Sequence, residues 1–152
     1  MRVKDVMKPN VITIDASASC HEAARRMFRD RVRHLPVVDA TGDLVGIVTD
    51  RDVRHRLLAP AVFDDGRGLD VEAILKATAV EEVMSIPVVT AASGDDLATA
   101  ARTMHIEKIG SLPVVESGRV VGIVTETDLL RQIMRAAECC CPDVPAIVVS
   151  YP

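Results

Sequence analysis

Two stretches decide the fold. Leu35-Pro36-Val37-Val38 leads to Gly46-Ile47-Val48-Thr49-Asp50-Arg51-Asp52, and Leu112-Pro113-Val114-Val115 leads to Gly122-Ile123-Val124-Thr125-Glu126-Thr127-Asp128. In each, a short β-branched run turns into a second one that ends in Thr followed by acidic residues. Pro36 and Pro113 exclude helix there, because proline has no amide to donate and crowds the preceding turn. Asp39-Ala40-Thr41-Gly42 and the tighter Glu116-Ser117-Gly118 supply turn residues between the runs, so each stretch reads as a β-hairpin.

The repetition extends outward from these hairpins. Val3, Val6 and Met7 return 77 positions later as Val80, Val83 and Met84. Val11 and Thr13 return as Val88 and Thr90, and Ala23, Ala24, Arg25 and Met27 as Ala100, Ala101, Arg102 and Met104. One residue is lost in the second hairpin turn, after which Thr49 and Asp52 match Thr125 and Asp128 at an offset of 76. Matches in this number and order are those of a duplicated βαββα unit.

Within each copy the elements follow from spacing. Val11 to Ile14 reads as a strand. Asp15 or Ser17 is expected to cap a helix running to about Asp30, with Ala23, Ala24, Met27 and Phe28 as its apolar stripe. The matching helix, capped between Ser93 and Asp96, carries Leu97, Ala100, Ala101 and Met104. Acidic residues at Asp50 and Asp52 open a second helix to about Leu58, favoured by its positive end, and its counterpart spans about Thr127 to Ala137. The expected organisation is repeat 1 at 1–58, a connector at 59–79, repeat 2 at 80–137 and a tail at 138–152. Asp70 to Lys76 forms a short helix in the connector, and Ala146 to Val149 an edge strand or an oligomer contact in the tail.

Composition narrows the function. Of 152 residues, 49% are hydrophobic but only 2% aromatic, so the core is aliphatic. A net charge of −4 supplies no field that would gather nucleic acid or membrane surfaces. No stretch approaches the roughly 18 apolar residues of a membrane helix, and the start lacks a signal peptide's apolar segment, so a cytoplasmic location is expected. Cys139, Cys140 and Cys141 are adjacent and lie far in sequence from Cys20 and His21, a poor spacing for zinc or for paired disulfides, and no metal site is expected.

The order of strand, helix, Leu-Pro-Val-Val strand, Gly-Ile-Val-Thr strand and helix, present twice, resembles the cystathionine-β-synthase (CBS) domain, and the tandem resembles a CBS pair or Bateman module. The resemblance implies an α/β fold in which two βαββα repeats pack sheet to sheet about a pseudo-twofold axis. It also implies two equivalent clefts, and a homodimer, often a flat disc. The function it implies is a non-catalytic regulatory sensor that needs no cofactor for chemistry. Such a sensor takes an adenosyl ligand such as AMP, ADP or ATP in the clefts and acts on a regulated protein partner.

The Thr-to-Asp corners are the chief candidates. A strand that ends at Thr49 or Thr125 and runs into a helix presents free amides, and the hydroxyl adds a donor for an anion. Asp52 and Asp128, three residues on, either accept a ribose diol or simply cap the helix. The resemblance places Thr and Asp at phosphate and ribose. It places Thr13 and Thr90 beside the adenine, although either is also an ordinary strand residue. Val32 and Ile109, with Pro36 and Pro113, form apolar walls for a base or plain core. Arg33, His34 and Arg51 surround the first corner, where the second copy has Gly110, Ser111 and Thr127; Ser111 also counts as a candidate contact. Residues 25–56 hold eight Arg against five acidic residues, and 102–132 hold four basic and four acidic. The first cleft is therefore expected to be the better phosphate site. Arg25, Arg26 and Arg29 read as a solvated, ion-paired helix face.

No Gly-x-Ser-x-Gly, Walker loop, His-Glu-x-x-His or Gly-x-Gly-x-x-Gly motif is present, so no enzyme is expected. The competing expectation is a dimeric interaction or scaffold protein whose clefts stay unoccupied.

Overall fold

Each apolar run is placed by the strand it pairs with. The computed structural model describes residues 1–58 and 70–140, the side chains of 138–140 excepted. Strand β1 (Ile14–Asp15) pairs parallel with β2 (His34–Val38), which pairs antiparallel with β3 (Leu44–Thr49). Helix α1 (Cys20–Asp30) crosses between β1 and β2, and α2 (Asp50–Leu57) follows β3 directly. After α3 (Val71–Ala77) the pattern returns as α4 (Leu97–Glu107), the hairpin β4 (Ser111–Glu116) and β5 (Arg119–Thr125), and α5 (Glu126–Cys140). Both hairpins shift register at the same place, between Val37 and Val38 and between Val114 and Val115. Their turns differ as expected from length. Asp39 Oδ1 accepts from the amides of Thr41 and Asp43, with Gly42 at φ 87°, whereas Ser117 and Gly118 both take positive φ in the shorter turn.

Several local expectations change. Strand β1 is only Ile14–Asp15, because Ile14 and Asp15 alone find ladder partners on β2; upstream, the Thr13 carbonyl accepts from Arg26 Nη1 at 2.7 Å. In the second copy the equivalent strand shrinks to one bridge, Ala91 to Val114. Ser19, not Asp15 or Ser17, caps α1, accepting from the Glu22 amide; Asp15 instead closes a tight turn on Ser17. Phe28 does not join the apolar stripe of α1. Cys20, Ala23 and Met27 fill that face, and Phe28 is 89% exposed, one residue round the helix from Met27. Asp96 caps α4 and Asp70 caps α3, within the expected ranges. Arg26 and Arg29 are ion-paired, to Glu22 and Asp30. The early connector (59–69), Cys141 and the edge-strand candidate Ala146 to Val149 lie outside the described residues.

The two copies exchange their N-terminal segments. Val3 is fully buried, but in the second core, among Ala91, Ala100, Met104, Leu112, Val114 and Val124, with Val6 and Met7 packed alongside. Val80 is buried in the first core, among Ile14, Cys20, Leu35, Val37 and Val48, with Val83 and Met84 alongside. Backbone bridges lock both crossings: Lys8 pairs with Ile123 on β5, and Ser85 with Ile47 on β3. The glycines of the two Gly-Ile-Val-Thr strands are where the methionines land. A Cβ at Gly46 would overlap Met84 Sδ and come within 2.9 Å of its Cγ; at Gly122 it would overlap Met7 Sδ. Glycine here clears space for the other copy's methionine, a close approach no larger residue allows without moving it.

The exchange has a measurable consequence. Val3→Ala should cost about 2 kcal/mol, from two lost methyl groups and the void they leave. In native-state hydrogen exchange its effect should fall on β4, β5 and α4, and that of Val80→Ala on β2, β3 and α1. Protection lost in the copy nearest in sequence would contradict the exchange.

Candidate functional site

Because β3 ends where α2 begins, the chain reverses at Thr49, and the first helical turn faces the crossing segment of the other copy. The Thr49 side chain accepts from the Asp52 amide at 3.2 Å, and Asp52 Oδ2 receives both the Thr49 amide (2.8 Å) and the Thr49 hydroxyl (2.7 Å). This is a reciprocal capping box. Thr125 and Asp128 repeat it, in the same order, at 3.4, 3.0 and 2.6 Å. Helix capping is therefore realised at both corners, and the threonine hydroxyls spend their protons on the aspartates. What the first corner keeps for a ligand is Asp52 Oδ1, with no partner among the described residues. The Arg51 amide is likewise unpaired there, whereas the Asp50 amide donates to Arg33 O.

A cleft of about 360 Å³ opens over this corner, within the usual range for small-molecule sites. One wall is Thr49 to Asp52 with Ile47; the other comes from the second copy, Ser85 with Pro87 to Val89 and Lys108 to Ser111. Arg33 and His34 reach in from the first copy and Glu126 from α5. Of the candidates read from the sequence, the cleft thus gathers Arg33, His34, Thr49, Arg51, Asp52, Ile109 and Ser111. It does not gather Thr13, Val32, Pro36, Thr90, Pro113, Thr125 or Asp128. Pro36 and Pro113 are fully buried, and Val32 packs against the first core, which is the plain-core outcome. Thr90 is exposed and Asp128 is buried. Pro87, Val88, Val89, Lys108 and Glu126 are cleft residues that sequence reasoning passed over. Pro87 to Val89 follow the crossing segment into the cleft, whereas Lys108 and Glu126 belong to the body of the second copy, and no local pattern announces that the two copies meet there.

Two features of the cleft are unusual. Ser111 is 4% exposed, and its Oγ is the one buried side-chain polar atom without a hydrogen-bond partner among the described residues. Such an orphan costs about 1–3 kcal/mol unless something meets it. Secondly, three cations (Arg33, Arg51, Lys108) and three carboxylates (Asp50, Asp52, Glu126) ring one opening. His34 sits among them, packed with Glu126 against Gly110, where a Cβ would lie 3.2 Å from His34 Nε2. Burial, reinforced by Arg33, lowers the His34 pKa below its ordinary 6.5 despite Asp50, Glu126 and Asp52 nearby. A wider hollow of about 990 Å³ on the outer face of α1, between Arg25, Phe28 and Lys76, lies away from both corners. Among the described residues no cluster of three or more metal-ligating side chains occurs, and no helix is long and apolar enough to cross a membrane.

The CBS-domain family model matches the chain twice, at residues 3–59 and 80–135. The chain belongs to the CBS-domain family. A CBS domain-containing protein of Dictyostelium discoideum is 31% identical over 137 residues, covering 90% of this chain and 93% of that protein. The solved CBS domain pair of protein MJ0100, in complex with 5′-methylthioadenosine and S-adenosyl-L-methionine, superposes with a TM-score of 0.76 at 31% identity, covering 90% of this chain and 98% of that one. A homoserine O-acetyltransferase of Methanohalobium evestigatum is 35% identical over 132 residues; this CBS pair spans 86% of its own length but only 24% of that enzyme's. In that relative the pair is one part of a longer chain.

The lowered His34 pKa fixes the sign of a pH effect. In the unfolded chain His34 protonates at about 6.5; in the fold it protonates only at lower pH, so below 6.5 the unfolded state binds more protons. Stability should therefore fall as pH drops through 6.5 toward the folded-state value, and be unaffected by this group above it. In urea unfolding, His34→Gln should flatten that slope. An NMR titration of His34 with its midpoint above 6.5 would contradict the assignment.

Proposed function

We propose that the chain is a non-catalytic regulatory sensor whose Thr49–Asp52 cleft binds an adenosyl ligand, AMP, ADP, ATP or S-adenosylmethionine. The observation that carries the reading is that one cleft gathers Asp52, whose Oδ1 has no partner among the described residues, and Ser111, whose buried Oγ has none either. A polar ligand edge meets Ser111, the ribose diol donates to Asp52 Oδ1, and Arg33, Arg51 and Lys108 hold the charged end. Val88, Val89 and Ile109 supply apolar surface for a base. The adenosyl compounds in the solved MJ0100 pair support this class of ligand. Signalling follows from the walls: they belong to different copies, so a ligand that prefers one packing of the copies shifts that packing and whatever protein reads it.

Ser111→Ala separates this from a scaffold with unused clefts. Removing an unsatisfied buried hydroxyl should leave thermal stability unchanged or raise it by up to about 1 kcal/mol, while calorimetry shows weaker ligand binding. Asp52→Ala should weaken binding about tenfold or more, the worth of a hydrogen bond to a charged acceptor, and more than Asp128→Ala does. If none of the four compounds binds, the scaffold reading stands in its place.

The sensor is also proposed to be a homodimer. Leu130, Ile133 and Met134 recur at helical spacing on α5 and are each more than half exposed, a contiguous apolar face of the kind that marks a protein contact. Sedimentation should show a dimer that Ile133→Glu converts to monomer; a wild-type monomer would contradict it.

A further inference from the structure

The second corner, Thr125 to Asp128, has the same frame as the first but carries its own cation. Lys8 and Ser85 hold equivalent places in the two crossings. Lys8 is locked to Ile123 by backbone hydrogen bonds of 2.9 and 3.1 Å, and Ser85 to Ile47 by bonds of 2.9 and 3.2 Å. Ser85 lines the first cleft. Lys8 starts from the mirrored position, and its Nζ lies 3.6 Å from Asp128 Oδ1. Arg131 Nη1 donates to the same oxygen at 3.1 Å. Thr125 already occupies Oδ2, so both carboxylate oxygens are engaged, and the Asp128 side chain is 2% exposed. In the first copy the matching positions are Ser85 and His55, and Asp52 Oδ1 stays open.

We propose that Lys8, together with Arg131, is a built-in occupant of the second corner, so that the chain offers one adenosyl site instead of two. This rests on the reading of the first cleft as an adenosyl site. A ribose diol arriving at Asp128 must replace ion pairs with hydrogen bonds from uncharged donors, whereas at Asp52 it meets a free oxygen. The two corners thus discriminate by what the ligand must displace and not by the contacts it gains. The Lys8 and Arg131 side chains are 56% and 50% exposed and contribute little to the core, so both charges can be removed without disturbing the crossing.

Calorimetry on the full chain, titrated in turn with AMP, ADP, ATP and S-adenosylmethionine, tests this. The tightest binder should saturate at one equivalent per chain. Lys8→Ser combined with Arg131→His, which installs both residues of the first corner, should add a second equivalent, and Lys8→Met combined with Arg131→Met, which keeps the aliphatic stems, should do the same. Ser85→Lys should weaken the first site about tenfold or more. Two equivalents in the unaltered chain, or one retained in both double variants, overturns the proposal and leaves the first cleft's reading intact. Absence of heat with all four compounds overturns that reading and the proposal with it.

Discussion

The structure depends on a reciprocal crossing. Met7 closes over Gly122 and Met84 over Gly46, each methionine entering the strand of the copy to which its own sequence does not belong. Val3 and Val80 complete the other copy's core, and the Lys8–Ile123 and Ser85–Ile47 bridges add a backbone contact to the outer edge of each hairpin. Each copy's core is thus completed by residues of the other. The crossing also carries Ser85 and Lys8 to the two strand-to-helix corners and so sets what each corner faces.

A duplicated frame then carries unequal chemistry. The capping boxes at Thr49–Asp52 and Thr125–Asp128 are alike in every hydrogen bond, because both solve the same problem of satisfying a helix start. Differences lie one position outward. His34 stands where the other copy has Ser111, Ser85 where it has Lys8, and His55 where it has Arg131. These substitutions leave one aspartate with an open oxygen in a cleft of mixed charge and bury the other between two cations. The unsatisfied Ser111 hydroxyl lies on the open side. The copies differ around the corners while the capping frame is the same in both, as expected when function is carried by site residues on a shared frame.

Much of this was legible in the sequence. The hairpins were readable because proline, β-branched runs and Asp/Gly turns leave few other options, and the duplication because its offset is broken only in a turn. The cap at Asp96 was readable within Ser93 to Asp96; the one at Ser19 was not, since Asp15 and Ser17 offer the same chemistry a few residues earlier and are used in a turn instead. Phe28 was misplaced because helical spacing cannot distinguish the edge of a stripe from its outside. In the candidate site, Arg33, His34, Thr49, Arg51 and Asp52 fell together as expected, being neighbours across one hairpin end. Val88 and Val89 were invisible for the opposite reason: they arrive through the crossing, a long-range event with no local signature. Thr49 and Thr125 were read correctly as corner residues, but the hydroxyl expected for an anion is given to the aspartate.

A crystal structure of the chain with a bound adenosyl compound, AMP or S-adenosylmethionine, tests the central claim most directly. The account predicts density in the cleft between the copies, with the ribose diol on Asp52 Oδ1, a polar ligand atom within hydrogen-bond distance of Ser111 Oγ, and Lys8 still paired with Asp128. Ligand seated at Thr125–Asp128 with Lys8 displaced, or a cleft left empty under saturating ligand, would contradict it.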